Sequence, residues 1–401
     1  MQSIVFDKPY VPIPPRNSRV WPAILKLWLP RMLRKSFGVV DVTFNHVDRL
    51  RESLAAGHGI VLAPNHCRDE DPFLLGMLAK EVKCNLYIMA SAHLFMQGKV
   101  KRFLLNRAGA FSVYREGIDR ASVNSAIDIL EHAKRPLVIF PEGFIARTND
   151  KLNDLMEGTA MIARSAAKKR AKLSPAGKVV CHPIALRYRF QGDVERAVAP
   201  VLDEIETRVS WRPNRHLPIH QRIHKLGHAL LCVKEVMYLN AAGTGTLNER
   251  LMKLIEAILS PLEEEWCDKD HSGSIWARVK RIRSAIVPDL VAGELTEAER
   301  ARRWQALEDV YIAGEMSHYP QDYVHEGCSP DRILETVERF EEDLTDKIRQ
   351  LGPIKAHITV GTAIEVNPAR EGRGAVDPLL AGIESQLKEM LGIGGAKGVD
   401  G

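Results

Sequence analysis

The sequence of 401 residues lacks the features of a membrane-spanning or disulfide-linked protein. It contains no apolar run of roughly eighteen residues, which excludes a helix that crosses a bilayer. Its six cysteines include no Cys-x-x-Cys pair and follow no evident secretory signal, so we expect free thiols in the cytoplasm. Only 6% of the residues are aromatic, but 45% are apolar, which is enough for a large buried core.

Acidic residues are absent between Lys8 and Val40, although seven basic residues lie there. This is the pattern of an interfacial helix on an anionic membrane surface, and the alternative is a helix that caps the core. Pro22 and Pro30 predict two short helices. We therefore expect residues 1–38 to be a basic amphipathic segment that holds the protein peripherally on the cytoplasmic face of the membrane. In helical projection the apolar side has Trp21, Leu25, Trp28, Leu29 and Met32, and the other side has Arg19, Lys26, Arg31 and Arg34.

Short β-like runs alternate with helical segments from residue 39 to 190. This alternation predicts an α/β core with a mostly parallel central sheet flanked by helices. Between residues 191 and 352 only helical periodicity is found, in long amphipathic segments with charged surfaces. The class of fold is therefore α/β with a large helical segment.

A β-like run returns once, from His357 to Val366, and a helix follows up to Leu391. A single strand cannot form a sheet of its own, so we expect residues 353–392 to rejoin the core. Residues 191–352 are then a helical insertion before the last strand. The glycine-rich tail at 393–401 is predicted to be disordered.

An Asn-His pair, Asn65 and His66, follows the apolar run at 59–63, and Asp71 comes five residues after the histidine. The run is typical of a strand buried on both faces, and Asp71 followed by Pro72 predicts an N-cap and a first-turn proline. His66 is therefore expected at the carboxyl end of a strand, where open α/β sheets place their chemistry. A histidine beside a carboxylate can act as a general base toward a hydroxyl.

Three further segments end or follow predicted strands. The first runs from Gly109 to Arg115, the second is the Phe-Pro-Glu-Gly turn at 140–143, and the third runs from Val180 to Ile184 and contains Pro183. Their side chains are expected to converge with His66 at one edge of the sheet. A base, an arginine for an anion and a carboxylate on a turn suit group transfer to the hydroxyl of an anionic acceptor.

In their order and spacing these four blocks resemble the glycerolipid acyltransferases, which include lysophosphatidate and glycerol-3-phosphate acyltransferases. The resemblance covers residues 39–189 and the late strand at 357–366. It implies transfer of an acyl chain from acyl-CoA or acyl carrier protein to a lysophospholipid such as 1-acyl-glycerol-3-phosphate, in phospholipid biosynthesis. It implies no metal or redox cofactor.

The resemblance also implies roles for individual residues. His66 would remove the proton from the acceptor hydroxyl as it attacks the acyl thioester, and Asp71 would orient His66 and stabilise its protonated ring. Arg115 would bind the anionic head group of the acceptor. The other residues expected at the substrate site are Asn65, Gly109, Glu142, Gly143, Arg147 and Pro183.

One departure from the family pattern concerns the acceptor. The family usually continues Phe-Pro-Glu-Gly with Thr-Arg or Thr-Lys, whereas here Phe144, Ile145, Ala146 and Arg147 follow. The usual polar contacts to the head group are therefore expected to be missing or to move to Arg147.

Other functions are compatible with parts of the sequence. A non-catalytic membrane-binding protein would keep the same fold, and a pI of 8.8 suggests nucleic-acid binding, but no nucleic-acid motif is found. Cys67 is a poor nucleophile beside His66, because neighbouring residues of an extended chain point to opposite faces. Two metal sites are conceivable: a phosphoesterase site at His66, Asp69, Glu70 and Asp71, and a zinc site at His216, His220, His224 and His228.

Overall fold

The structure is a computed structural model that describes residues 9–117, 119–319, 322–369 and 377–393. Its contacts divide the chain into two units. The sheet unit comprises the described residues of 10–191 and 352–401, and the helical unit comprises those of 1–9 and 192–351. The boundaries of the five predicted segments stay predictions, and the predicted disordered tail lies, apart from Ile393, outside the described residues.

The sheet unit is built on one mixed sheet that has eight strands within the described ranges. The strands follow the order β1-β7-β6-β2-β5-β3-β4, with β8 paired to β6. Pairing is antiparallel only where β6 meets β7 and β8. The strands are β1 (Val39–Asn45), β2 (Gly59–Pro64), β3 (Tyr87–Ser91), β4 (Ala110–Val113), β5 (Leu137–Val138), β6 (Val179–Phe190), β7 (Ile354–Val360) and β8 (Ile364–Glu365).

Both units contain helices, which are numbered in chain order. The sheet unit has α1 (Val20–Phe37), α2 (Val47–Ala55), α3 (Asp71–Glu81), α4 (Ala92–Met96), α5 (Lys99–Ala108), α6 (Arg120–His132), α7 (Gly158–Arg170) and α14 (Pro378–Leu391). The helical unit has α8 (Val194–Ser210), α9 (Ile219–Leu239), α10 (Leu247–Trp266), α11 (Ile275–Ala292), α12 (Glu297–Met316) and α13 (Pro330–Thr345). In the described part of the chain, no helix is long and apolar enough to cross a bilayer.

The predicted fold class is confirmed: a mostly parallel sheet flanked by helices, with a helical insertion before the strand that returns to the sheet. Strand β2 is buried at every residue because β5 and β6 flank it and helices cover its faces. Its side chains share a core with apolar residues of α6, α7 and α14, among them Leu130, Ala163 and Ile383. The end of β2, where the site lies, is therefore a rigid part of the molecule.

Two expectations about the terminal elements of the sheet unit were wrong. The N-terminal segment forms one helix, α1, because Pro22 lies in the first turn and Pro30 removes only one helical hydrogen bond. Buried Leu29 contacts Gly76 of α3, which fixes the helix against the core. The late strand is two strands, β7 and β8, interrupted at Gly361, whose N–H donates to the carbonyl of Pro183.

The helical unit contains a repeated ion pair that the sequence analysis did not predict. A buried glutamate near the end of one helix binds an arginine at the fourth residue of the next helix. Each such arginine therefore ties together two consecutive helices at their connecting end. The pairs are Glu206 with Arg222 at 2.8 Å, Glu235 with Arg250 at 2.7 Å, and Glu263 with Arg278 at 2.7 Å.

Candidate active site

The candidate site is built around the turn between β2 and α3. His66 lies two residues after the end of β2, and Asp71 is the first residue of α3. The Nδ1 atom of His66 is 2.8 Å from Oδ2 of Asp71, and the two side chains are 15% and 0% exposed. This hydrogen bond assigns a proton to Nδ1, because the carboxylate can only accept. Nε2 is then the ring nitrogen that can take up a proton.

The Asp71 carboxylate is held from several directions. Its Oδ2 accepts the backbone N–H groups of Cys67 at 2.8 Å and Arg68 at 3.0 Å, besides the His66 ring. Its Oδ1 accepts the hydroxyl of Tyr188 at 2.5 Å. The sequence analysis placed Asp71 at the N-cap, but Glu70 occupies that position and the Asp71 side chain turns back to the preceding residues. The carboxylate therefore orders the turn that carries His66.

Glu142 holds the backbone of His66. Its carboxylate is 2% exposed, and Oε1 accepts the backbone N–H of His66 at 2.9 Å. Oε2 accepts the backbone N–H of Asn153 at 3.0 Å and its side-chain amide at 2.7 Å. Burial raises the pKa of Glu142 above its usual range, although the bonds from Asn153 and His66 oppose that rise. Because the carbonyl of His66 also accepts the N–H of Ala146 at 2.6 Å, both sides of the histidine are fixed by one loop.

The His66 ring has a further neighbour in Phe140. The two rings stack with centroids 3.9 Å apart and an angle of 26° between their planes. Phe140 belongs to the Phe-Pro-Glu-Gly turn, so this turn supports the ring of His66 as well as its backbone. The aromatic contact restricts rotation of the imidazole while Asp71 fixes its direction.

Four of the predicted substrate residues have structural reasons for their identity. Asn65 is 1% exposed and pairs with both backbone groups of Leu186 on β6, at 3.0 and 2.7 Å. Pro183 lies on β6 in register with Ala63 of β2. Gly143 and Gly109 have φ values of 76° and 107°, and an added Cβ at either would collide with a neighbour. These contacts shape the site without requiring a substrate.

The two predicted arginines lie at different distances from His66 along the edge of the sheet. Nη1 of Arg147 is 3.4 Å from Oδ2 of Asp69, so this guanidinium is held beside the His66 turn. Arg115 follows β4, which is three strands away from β2 in the sheet. At about 4.8 Å per strand the two strands are about 14 Å apart. Because these strands are parallel, both arginines lie at the edge that carries His66.

Several residues that were not among the predicted site residues support the site. The side chain of Asn149 forms hydrogen bonds with both backbone groups of Tyr188. It accepts the N–H at 2.8 Å and donates to the carbonyl at 3.1 Å. Asp119 accepts the N–H of Tyr114 at 2.9 Å and so fixes the chain next to Arg115. Burial raises the pKa of Asp119, but hydrogen bonds outweigh burial and hold it below the usual range. The Asn149 contacts join residues 39 positions apart and depend on the tertiary fold, whereas Asp119 is the N-cap of α6 and could have been found from the local sequence.

The structure does not bring together the proposed metal ligands. Asp69 faces Arg147, Glu70 binds Nε of Arg68 at 2.8 Å, and Asp71 binds His66. Among the described residues, no three histidine, cysteine, aspartate or glutamate side chains are arranged to hold a metal ion. This includes the helical histidines, of which His224 is bonded to a backbone carbonyl. None of the six cysteines, all of which lie in the described ranges, forms a disulfide, in line with the thiols expected.

Comparison with protein families agrees with this geometry. Residues 45–187 match the family model described as Acyltransferase, so this stretch is a domain of the glycerolipid acyltransferase family. The match runs from the end of β1 into β6 and includes His66, Asp71, Arg115 and Glu142. A comparison with curated proteins found no match. The protein is therefore an acyltransferase enzyme in the general sense.

Proposed function

We propose that the protein transfers an acyl chain from acyl-CoA or acyl carrier protein to the hydroxyl of a lysophospholipid such as 1-acyl-glycerol-3-phosphate, in phospholipid biosynthesis. The observation that carries the proposal is the 2.8 Å bond between Asp71 and Nδ1 of His66. It leaves Nε2 as a base at the end of β2, inside a domain of an acyltransferase family. The roles of the individual residues are part of the proposal.

The proposed reaction proceeds in two steps at His66. Nε2 removes the proton from the acceptor hydroxyl while its oxygen bonds to the thioester carbonyl carbon. The carbon–sulfur bond then breaks, and the protonated ring returns the proton to the departing thiolate. Asp71 stabilises the positive charge of the ring between these steps. A base placed in this way contributes about 10² to 10⁴ in rate.

The acceptor head group is proposed to bind through arginine. Arg147 is fixed beside the His66 turn by Asp69, and its side chain is 20% exposed. Arg115 lies at the same edge of the sheet, at the end of β4. A guanidinium presents several donors to phosphate oxygens and keeps its charge at every physiological pH. Arg147 thus supplies a charge near the position where this chain lacks the Thr-Arg or Thr-Lys that the family pattern usually has.

We propose that α1 and α5 bring the site to an anionic membrane surface on the cytoplasmic side. Trp21 of α1 contacts Phe103 of α5, with ring centroids 5.3 Å apart, so the two helices form one surface. We name it the docking surface. Its exposed apolar residues are Val20, Ile24, Leu27, Trp28, Val100, Phe103 and Leu104. Its exposed basic residues are Arg31, Arg34, Lys35, Lys99, Lys101 and Arg102.

The docking surface differs from the one given by helical projection. Of the apolar side, Leu29 is buried and Leu25 is half-buried, whereas Trp28 is 63% exposed. The neighbouring Leu27, with 74% exposure, belongs to the outer side. Apolar side chains beside lysine and arginine are typical of a helix that lies in the membrane interface. Each basic residue near such a surface contributes about 1 kcal/mol of binding free energy.

Acyl transfer is tested directly with labelled donors. Purified protein is incubated with labelled acyl-CoA or acyl carrier protein and with lysophosphatidate, with and without a chelator. We expect labelled phosphatidate from one donor or both, at a rate that the chelator leaves unchanged. No transfer would favour the non-catalytic alternative, and transfer abolished by the chelator would favour metal-dependent chemistry.

Membrane binding is tested by co-sedimentation with vesicles that contain anionic lipid. A variant with Leu27→Ser and Trp28→Ser changes only exposed side chains, whereas removing α1 would uncover the core around Leu29. We expect the double variant to bind about tenfold more weakly, because it removes two apolar contacts with the interface. Trp211→Ser in the helical unit is the control, since Trp211 is 90% exposed and lies outside the docking surface. Equal losses of vesicle binding in the double variant and in Trp211→Ser would refute the assignment of the docking surface.

A further inference from the structure

Tyr188 stands directly behind the His66–Asp71 pair. It lies on β6, it is 1% exposed, and its hydroxyl donates to Oδ1 of Asp71 at 2.5 Å. The other carboxylate oxygen, Oδ2, accepts Nδ1–H of His66 at 2.8 Å. The hydroxyl, the carboxylate and the ring therefore form one continuous chain of hydrogen bonds. The far end of this chain is Nε2, where the proposed proton transfer takes place.

The position of Tyr188 is itself fixed on several sides. Asn149 pairs with both of its backbone groups, at 2.8 and 3.1 Å. The guanidinium carbon of Arg68 lies 5.5 Å from the centre of its ring. A phenol held at its backbone and over its ring cannot swing away from the carboxylate. The hydroxyl therefore imposes one orientation on Asp71.

The phenol acts as a donor throughout the working pH range. Burial, together with the negative charge of Asp71, raises the pKa of Tyr188 well above its usual value. Other charged or titratable groups that face this chain of bonds are Cys67, Arg68 and Glu70 from the turn and Glu142 from the loop after β5. All of them remain in place if only the hydroxyl of Tyr188 is removed.

We propose that Tyr188 is a positioning residue for acyl transfer, whose hydroxyl directs the Asp71 carboxylate toward His66 and shares its negative charge. This inference rests on the proposed role of His66 as the base. Without the hydroxyl, Oδ1 of Asp71 is buried with one donor fewer. More of the negative charge then acts on the His66 ring and stabilises its protonated form, which cannot accept a proton. The carboxylate is then oriented mainly by the three N–H donors to its Oδ2.

The first test is the pH dependence of acyl transfer by Tyr188→Phe. We expect kcat to fall about tenfold, because one buried hydrogen bond to a charged group is lost, and KM to change little. We also expect the acid limb of the pH–rate profile to move to higher pH. Tyr323→Phe in the helical unit is the matched control, because Tyr323 is also buried, donates to Glu335 at 2.5 Å and lies under Arg332. Its profile should match that of the wild type.

The second test keeps the ring and changes only the strength of the donor. Fluorotyrosine incorporated at position 188 has a more acidic phenol, so it should move the acid limb to lower pH, opposite to Tyr188→Phe. Profiles that coincide with the wild type in both proteins would overturn the proposal and leave Tyr188 a packing residue. Shifts in the same direction in both would also overturn it.

A readout that needs no acyl transfer separates this inference from the proposed function. The His66 ring signal, assigned by its loss in His66→Ala, is followed by NMR as pH changes in the wild type and both Tyr188 proteins. Opposite displacements of the two titration curves would support the positioning role even if no acyl transfer were found. Unchanged curves would contradict the positioning role even if transfer were confirmed.

Discussion

Both units of the protein contain buried carboxylates, but the hydrogen-bond partners of these carboxylates differ. In the helical unit, Glu235 is 1% exposed, and Arg250 binds both of its oxygens at 2.9 and 2.7 Å. The guanidinium of Arg250 holds the pKa of Glu235 below its usual range. In the sheet unit, Asp71 is 0% exposed, and its partners are a histidine ring, a tyrosine hydroxyl and two backbone N–H groups. No arginine neutralises it among its observed hydrogen bonds.

This difference suits the arginine-paired carboxylates to architecture and Asp71 to the proposed chemistry. An arginine keeps its charge at every working pH, so the Glu235–Arg250 pair has a single protonation state. Its role is then only to connect α9 to α10. A histidine can gain and lose a proton near neutral pH, so the Asp71 pair has two states. Asp71 stabilises the protonated state, which the proposed reaction needs only briefly. The comparison leads to predictions for each unit.

The largest effect on stability is expected in the helical unit. Arg250→Met leaves Glu235 charged and buried, which should lower the free energy of unfolding by about 3–5 kcal/mol. Adding Glu235→Leu should restore most of the loss, because an apolar pair needs no charge compensation. Urea unfolding measures both variants, and Arg215→Met, which removes an arginine that is 73% exposed in its pair with Asp203, should cost less than about 1 kcal/mol. If Arg250→Met lowered the free energy of unfolding only slightly, the repeated ion pairs would not stabilise the helices.

An intermediate effect is expected on catalysis from Glu142→Gln. The carboxylate accepts three N–H groups, whereas the glutamine amide would direct its own donors at one or more of them. The His66 backbone should shift, and a displacement of about 1 Å costs about 10² in rate. The initial rate of acyl transfer measures this loss, and exposed Glu157→Gln is the control. A rate equal to that of the wild type would show that Glu142 does not position His66.

The smallest effect is expected at Asp119, which caps α6 and accepts the N–H of Tyr114. Asp119→Ala should lower the free energy of unfolding by about 1 kcal/mol. The folded-state pKa of Asp119 is lowered, so its stabilisation is present at neutral pH and is lost as pH falls toward the folded-state value. Unfolding at neutral and acidic pH should therefore show that the variant and the wild type converge in acid. A difference that grows in acid would contradict this account.

The sequence predicted those parts of the fold and site that depend on local patterns. The strand before His66 and the contact between His66 and Asp71 follow from an apolar run and a spacing of five residues. Glu142 was predicted near the acceptor, but it bonds to a backbone group 76 residues away, which no local pattern reveals.

Tyr188 illustrates the remaining limit of the sequence analysis. Its hydroxyl reaches Asp71 only because β6 pairs alongside β2 and continues beyond the end of that strand. The sequence separation between the two residues is 117, and nothing in the residues around Tyr188 indicates the contact. The local sequence therefore indicated the residues proposed for the chemistry, His66 and Asp71, but not Tyr188, which contacts Asp71 through the tertiary fold.

If His66 is the base for acyl transfer, replacing it should slow the reaction more than any other single substitution named above. The initial rate with labelled acyl-CoA and lysophosphatidate is compared among wild type, His66→Ala and exposed His132→Ala, each checked for an unchanged unfolding transition. The account predicts that His66→Ala is slower by about 10² to 10⁴, while His132→Ala matches the wild type. Transfer by folded His66→Ala at the wild-type rate would contradict the account.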